Sequence, residues 1–166
     1  MKSFKLEGHL RQDLGKKSAK ALRGGAEIPA VLYGGADVKH IVVSQEGVRN
    51  LIYSPEIFVV ELNIDGQEVK AVLKDIQFHP VTDALLHVDF YEVNDQKPIV
   101  MGVPVKLVGL AQGVRDGGRM NMSIRKINVK APYQQIPEHL DINVTELRLG
   151  KSIKVGELSF EGLELV

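Results

Sequence analysis

The chain is 166 residues long, with 21 basic and 21 acidic side chains, 44% hydrophobic residues, and no cysteine or tryptophan. That length suits one large domain or two small ones. The missing cysteines exclude a disulfide framework, thiolate catalysis and a cysteine-ligated metal. No run approaches the ~20 apolar residues of a membrane-crossing helix, and the first lysines are not followed by the apolar stretch of a secretory signal.

Residues 3–10, Ser-Phe-Lys-Leu-Glu-Gly-His-Leu, predict an opening strand with Phe4 and Leu6 on one face. Residues 11–17 contain Gly15 and read as a loop. Ala19, Ala21 and Leu22 favour a short helix over 18–23, which Gly24-Gly25 would stop. Residues 28–33 and 40–43 are extended and apolar, with Gly34-Gly35 turning the chain between them. Ser44 is a candidate cap for a helix over 45–53, with Val48, Leu51 and Ile52 on its apolar stripe. Residues 58–64 and 67–73 flank Asp65-Gly66, a strong hairpin signal. Ile76, Phe78 and residues 86–93 suggest further strands about a turn at Pro80.

The polar run Asn94-Asp95-Gln96-Lys97-Pro98 predicts a boundary between domains at 1–93 and 94–166. Beyond it, residues 99–110, 123–131, 141–144, 152–155 and 163–166 read as strands, and 113–119 as a glycine-rich basic loop. The expectation is a mainly β protein with two short helices in its first part and no internal repeat. The abrupt ending Gly-Leu-Glu-Leu-Val suggests further residues.

A net charge of zero argues against nucleic-acid binding until it is resolved along the chain. Residues 1–25 hold seven basic and two acidic groups, net +5. Residues 26–93 are net −7, and residues 94–166 net +2. A basic arm with four glycines is thus joined to an acidic body, and such an arm gains from counterion release at a phosphate backbone. Lys16 falls beside the start of the first helix, where free backbone N–H groups also favour phosphate, and Lys20 and Arg23 share a helix face. Tyr33 suits a phosphate, a ribose or an unstacked base, or equally the rim of the β core. Gln77, His87 and Asp89 suit base edges or 2′-hydroxyls in an RNA minor groove.

Catalytic chemistry is poorly supported. No phosphate-binding loop or dinucleotide fingerprint is present, and no serine has an organised base. His79, His87 and Asp89 could form a metal site only if the turn at Pro80 brought them together. From residue chemistry an RNA-binding module leads, a β-rich protein-interaction module follows, and an enzyme is a distant third.

The run from Arg11 through Gly15-Lys16, Lys20, Arg23 and Ile28-Pro29-Ala30-Val31-Leu32-Tyr33-Gly34 resembles the amino-terminal signature of the bacterial large-subunit ribosomal proteins that bind 5S ribosomal RNA. That family includes the general stress protein Ctc. Lys74-Asp75-Ile76-Gln77-Phe78-His79-Pro80 followed by His87-Val88-Asp89-Phe90 resembles its second signature. The resemblance covers the first 93 residues closely, and the rest is similar to the second β domain of longer members.

It implies a small β barrel with short helices, followed by a second β-rich domain, in a non-catalytic constituent of the cytoplasmic ribosome. That barrel would bind the loop-E region of 5S rRNA through its minor groove, using Arg11, Lys16, Lys20, Arg23, Tyr33, Gln77, His87 and Asp89. It implies no cofactor, metal, membrane or small-molecule substrate. Ala21 departs from short members, which carry a second arginine there, and so removes one possible contact. For residues 94–166 it implies neighbouring ribosomal RNA or proteins as partners, with Arg115, Arg119, Arg125 and Lys126 as candidates. Longer members often end in an acidic tail that this sequence lacks.

Overall fold

Alternation of apolar and polar residues builds the first part of the chain. In the computed structural model, which describes residues 2–94 and 97–166, the strands are β1 (Lys2–Leu10), β2 (Glu27–Tyr33), β3 (Lys39–Ser44), β4 (Phe58–Ile64), β5 (Gln67–Phe78) and β6 (Leu85–Glu92). They close into a barrel in the order β1-β3-β2-β6-β5-β4. The β1–β4 and β2–β6 pairs are parallel and the other four antiparallel. Successive side chains of a strand point to opposite faces. One set, including Ile28, Leu32, Ile41, Val60, Leu62, Val88 and Phe90, fills the barrel, while the other faces outward.

Two helices interrupt these strands. Ser44 Oγ accepts the Gly47 amide at 3.0 Å and caps α2 (Gln45–Tyr53), which buries Val48 and Leu51 against the barrel. The helix α1 (Lys16–Gly24) follows Gly15, has no side-chain cap and buries no residue fully. Asp65 (φ 48°) and Gly66 (φ 92°) both take positive φ, the geometry of the tight hairpin turn that joins β4 to β5.

Where 67–73 and the region around Ile76 were expected as separate strands, β5 is one strand of 12 residues. Its register slips between Leu73 and Asp75, leaving Lys74 as an extra residue opposite β6. Such a bulge reverses the inside–outside parity of everything after it. Val69, Ala71 and Leu73 point inward before it. Ile76 does so after it, which turns Asp75 and Gln77 outward. A second slip between Gln77 and Phe78 makes Leu86 the extra residue on β6.

The chain divides into two compact units, Met1–Asn94 and Asp95–Val166. Of the boundary expected at 94–98, Asp95 and Gln96 lie outside the described residues. The second unit is a four-stranded sheet in the order β10-β8-β7-β9. Its strands are β7 (Ile99–Val108), β8 (Lys126–Ala131), β9 (Leu140–Asn143) and β10 (Glu164–Leu165). Its core includes Ile99, Met101, Val103, Ile127, Val129 and Leu140.

Three segments of this unit differ from expectation. The 113–119 loop opens with a short helix, α3 (Gln112–Arg115), because the Gly113 amide is bound by the Leu147 carbonyl at 2.8 Å. Residues 152–155 alternate like a strand but have no ladder partner among the described residues, and a 3-10 turn forms at Val155–Glu157 instead. Residues 123–125, expected as part of a strand, precede β8 and lie outside it.

Candidate nucleic-acid interface

The parity set by the Lys74 bulge assembles an outer barrel face. Gln77 of β5 lies opposite His87 of β6, and Asp75 opposite Asp89. On the other side of β6, Val31 lies opposite Asp89 and Tyr33 opposite Tyr91. Gln77, His87, Asp89 and Tyr33 therefore occupy one face across three adjacent strands.

Tyr33 packs edge-on against Tyr91, with ring centroids 5.6 Å apart. Burial pushes its hydroxyl above its ordinary value, and the charges of Asp89 and Asp75 add to the shift. Tyr33 is thus a hydrogen-bond donor at neutral pH. His87 Nδ1 lies 2.7 Å from Asp89 Oδ1, with both side chains about one quarter exposed. The approach is close but lacks hydrogen-bond direction, and Nδ1 is buried without a hydrogen-bond partner. Buried polar atoms are normally satisfied, so this orphan marks an unusual point of the surface.

The basic arm borders this face through Arg23, whose Nε donates to the Leu86 carbonyl at 3.0 Å. Leu86 is the extra residue of the β6 bulge, where ladder pairing is interrupted. The end of α1 is thereby fixed to the start of β6, one residue before His87. Lys16, Lys20 and Arg23 follow at four- and three-residue intervals along one side of α1 and are exposed.

Arg11 is committed differently. Its Nε donates to the Asp13 carbonyl at 2.8 Å, and Nη2 to Gly15 O at 3.2 Å and Ser18 Oγ at 3.4 Å. It ties down the loop leading into α1. The other seven residues expected in the site thus lie on α1 or the adjoining strand face, with Arg11 bracing the loop behind.

Asp75 and Tyr91 were not singled out from the sequence. Asp75 sits opposite Asp89, and its only advance signal was the broken alternation between Leu73 and Ile76. His79 turns away from a metal-site arrangement, since its Nδ1 accepts the Val81 and Thr82 amides at 3.2 Å within the turn. Among the described residues, no group of three His, Asp or Glu is arranged to hold a metal ion.

A basic helix pinned beside a strand face that offers both donors and acceptors is the layout of an RNA-binding β barrel. Comparison with known proteins agrees. The model described as the Ribosomal L25p family matches residues 6–90, and that of the ribosomal protein TL5 C-terminal domain matches residues 98–166. The large ribosomal subunit protein bL25 of Phocaeicola vulgatus is 57% identical over 173 aligned residues, covering all of this chain and 87% of its own length. The bL25 of Porphyromonas gingivalis is 58% identical over 168 residues, covering all of this chain and 88% of its own. That of Bacteroides thetaiotaomicron is 54% identical over 171, with coverage of 100% and 87%. The chain belongs to the Ribosomal L25p family.

Proposed function

We propose that this protein is a non-catalytic constituent of the large subunit of the cytoplasmic ribosome, in which residues 1–93 bind 5S rRNA and residues 94–166 form a second β domain that meets neighbouring components of the subunit. Family membership supports the assembly. The observation that carries the site is the Arg23–Leu86 hydrogen bond, which holds the cationic side of α1 beside Gln77, His87, Asp89 and Tyr33.

Lys16, Lys20 and the remaining donors of Arg23 engage phosphates and set the register. They carry no sequence information themselves. Selectivity comes from the strand face. Asp89 accepts from a guanine amine or a 2′-hydroxyl, while Tyr33, Gln77 and His87 donate or accept around it. A-form RNA presents these groups in its wide, shallow minor groove. A carboxylate repels phosphate, so Asp89 favours a backbone path that brings a donor to it and disfavours others.

Gel-shift titration with purified 5S rRNA at about 150 mM salt tests the reading. Asp89→Ala and Arg23→Ala are each expected to weaken binding by about tenfold or more, the loss of a charge-assisted hydrogen bond. Unchanged affinity in both variants would show that the assigned face is wrong.

A further inference from the structure

The inward row of β7 in the second unit begins as a sealed core and ends as an open one. Val103 is fully buried, but Val105 and Leu107, one and two steps further on the same face, are partly exposed. They join Ile127, Ile142 and Val144 at the floor of a cleft of about 680 Å³. Its walls are two segments without regular strands or helices, 119–125 and 147–154. These carry Met120, Met122, Ile124, Leu149 and Ile153, each between 38% and 57% exposed. Apolar residues clustered over an open cleft mark a binding surface more often than scattered ones do, and methionines adapt to varied apolar contacts.

The charge around the cleft is one-sided. Arg119, Arg148, Lys151 and Lys154 line it, and no acidic residue among those described does. None of the four forms an ion pair among the described residues. The same sheet already seats a segment of complementary character. Glu164 and Leu165 pair with Lys130 and Val129 of β8, and Lys130 Nζ meets Glu164 Oε2 at 2.9 Å.

We propose that this cleft is a docking site for an extended protein segment in which apolar side chains alternate with carboxylates. The apolar residues enter the cleft and the carboxylates meet its four cations. RNA satisfies only the second requirement. It would leave the methionine, leucine and isoleucine walls facing ribose and phosphate, so a peptide is the better match. None of its lining residues is among those assigned to 5S rRNA.

The test uses the full chain and fluorescein-labelled dodecapeptides of alternating Leu-Glu, Leu-Lys and Ser-Glu, with a uridine dodecanucleotide as the RNA arm. Fluorescence anisotropy should show the Leu-Glu peptide binding at least about tenfold more tightly than the other three. Two double variants, each verified as folded by circular dichroism, should separately reduce that preference to about threefold or less. They are Met122→Asp with Ile153→Asp, and Lys151→Glu with Lys154→Glu. Equal binding of all peptides, no binding of Leu-Glu, tighter binding of the uridine oligomer, or a preference that survives both double variants would each overturn the proposal.

Discussion

A Cβ added to Gly34, whose φ is +100°, would come within 2.7 Å of the Tyr91 ring. Because Gly34 directly follows Tyr33, it lets the chain leave β2 while the two tyrosine rings stay edge to edge. Gly34→Ala should therefore combine backbone strain with displacement of Tyr91. A stability loss of about 1–3 kcal/mol is expected, together with weaker 5S rRNA binding. A denaturation midpoint equal to that of the wild type would contradict this account.

A second residue-scale device is the clip between His9 and Asp65. His9 Nδ1 lies 2.8 Å from Asp65 Oδ1, and Asp65 Oδ2 accepts the Leu10 amide at 2.8 Å. The bond to Asp65, followed by the Asp65 charge, raises His9 above its ordinary 6.5. The Leu10 amide, followed by His9, lowers Asp65 below its ordinary 3.8. A raised histidine stabilises fully below its unfolded value, and that contribution is lost as pH rises through the folded value. A lowered carboxylate stabilises above its unfolded value and loses that contribution as pH falls through the folded one. The clip is thus at full strength between 3.8 and 6.5. Urea midpoints of wild type and His9→Ala should differ more at about pH 5.5 than at about pH 8.5. A gap that does not narrow on raising the pH would rule the clip out as a source of pH dependence.

At the scale of elements, the two helices of the barrel unit are held by different means. Residues of α2 anchor it in the core and Ser44 caps it, so Ser44→Ala should cost about 1 kcal/mol. By contrast, α1 has four cations in nine residues, no cap and no fully buried side chain. A helix this short is marginal in water by itself, and Lys16 and Lys20 repel one another across one turn. Hydrogen exchange should therefore be faster in α1 than in α2 for the free protein and slow selectively in α1 when 5S rRNA is added. Equal protection of both helices without RNA would show that α1 is held by more than the Arg23 contact and its partly buried residues.

The ease of reading each element from sequence follows the same division. The bounds of α2 and the Asp65-Gly66 turn are set by local chemistry, a cap and a pair of residues suited to positive φ, and both were legible. The strand face was legible only as a set of residues, because its geometry depends on the bulge at Lys74. That bulge is a property of β5 paired with β6, and nothing within β5 fixes which residue is extra. The same holds for α3, where a Cβ on Gly113 would come within 2.8 Å of the Leu149 amide nitrogen. Such a distant-in-sequence contact is invisible to a local reading of residues 113–119. Arg11 and Arg23 show the complementary limit. Their charge was legible, while the carbonyls that occupy part of each guanidinium were not.

For the molecule as a whole, the neutral total conceals a working asymmetry. The basic groups expected at 5S rRNA lie in the first 25 residues, while residues 26–93 carry a net −7. Contacts from Lys16, Lys20 and Arg23 should make log affinity fall with log salt, by roughly 0.7–0.9 per neutralised phosphate. Lys20→Ala should reduce the slope by about one such step. The acidic remainder of the barrel should act on every other approach, repelling phosphates that arrive away from α1. On the proposed interface it is expected to lower non-specific affinity more than specific affinity, because only the specific pose would keep phosphates near the cations and bring donors to Asp89. Asp37, Glu46 and Glu68 are exposed and are not among the residues of the assigned face. Replacing all three by their amides should tighten binding to a generic RNA duplex more than binding to 5S rRNA, so the ratio of the two affinities falls. If both affinities rise by the same factor, the acidic body contributes solubility alone, and selectivity rests wholly on the strand face.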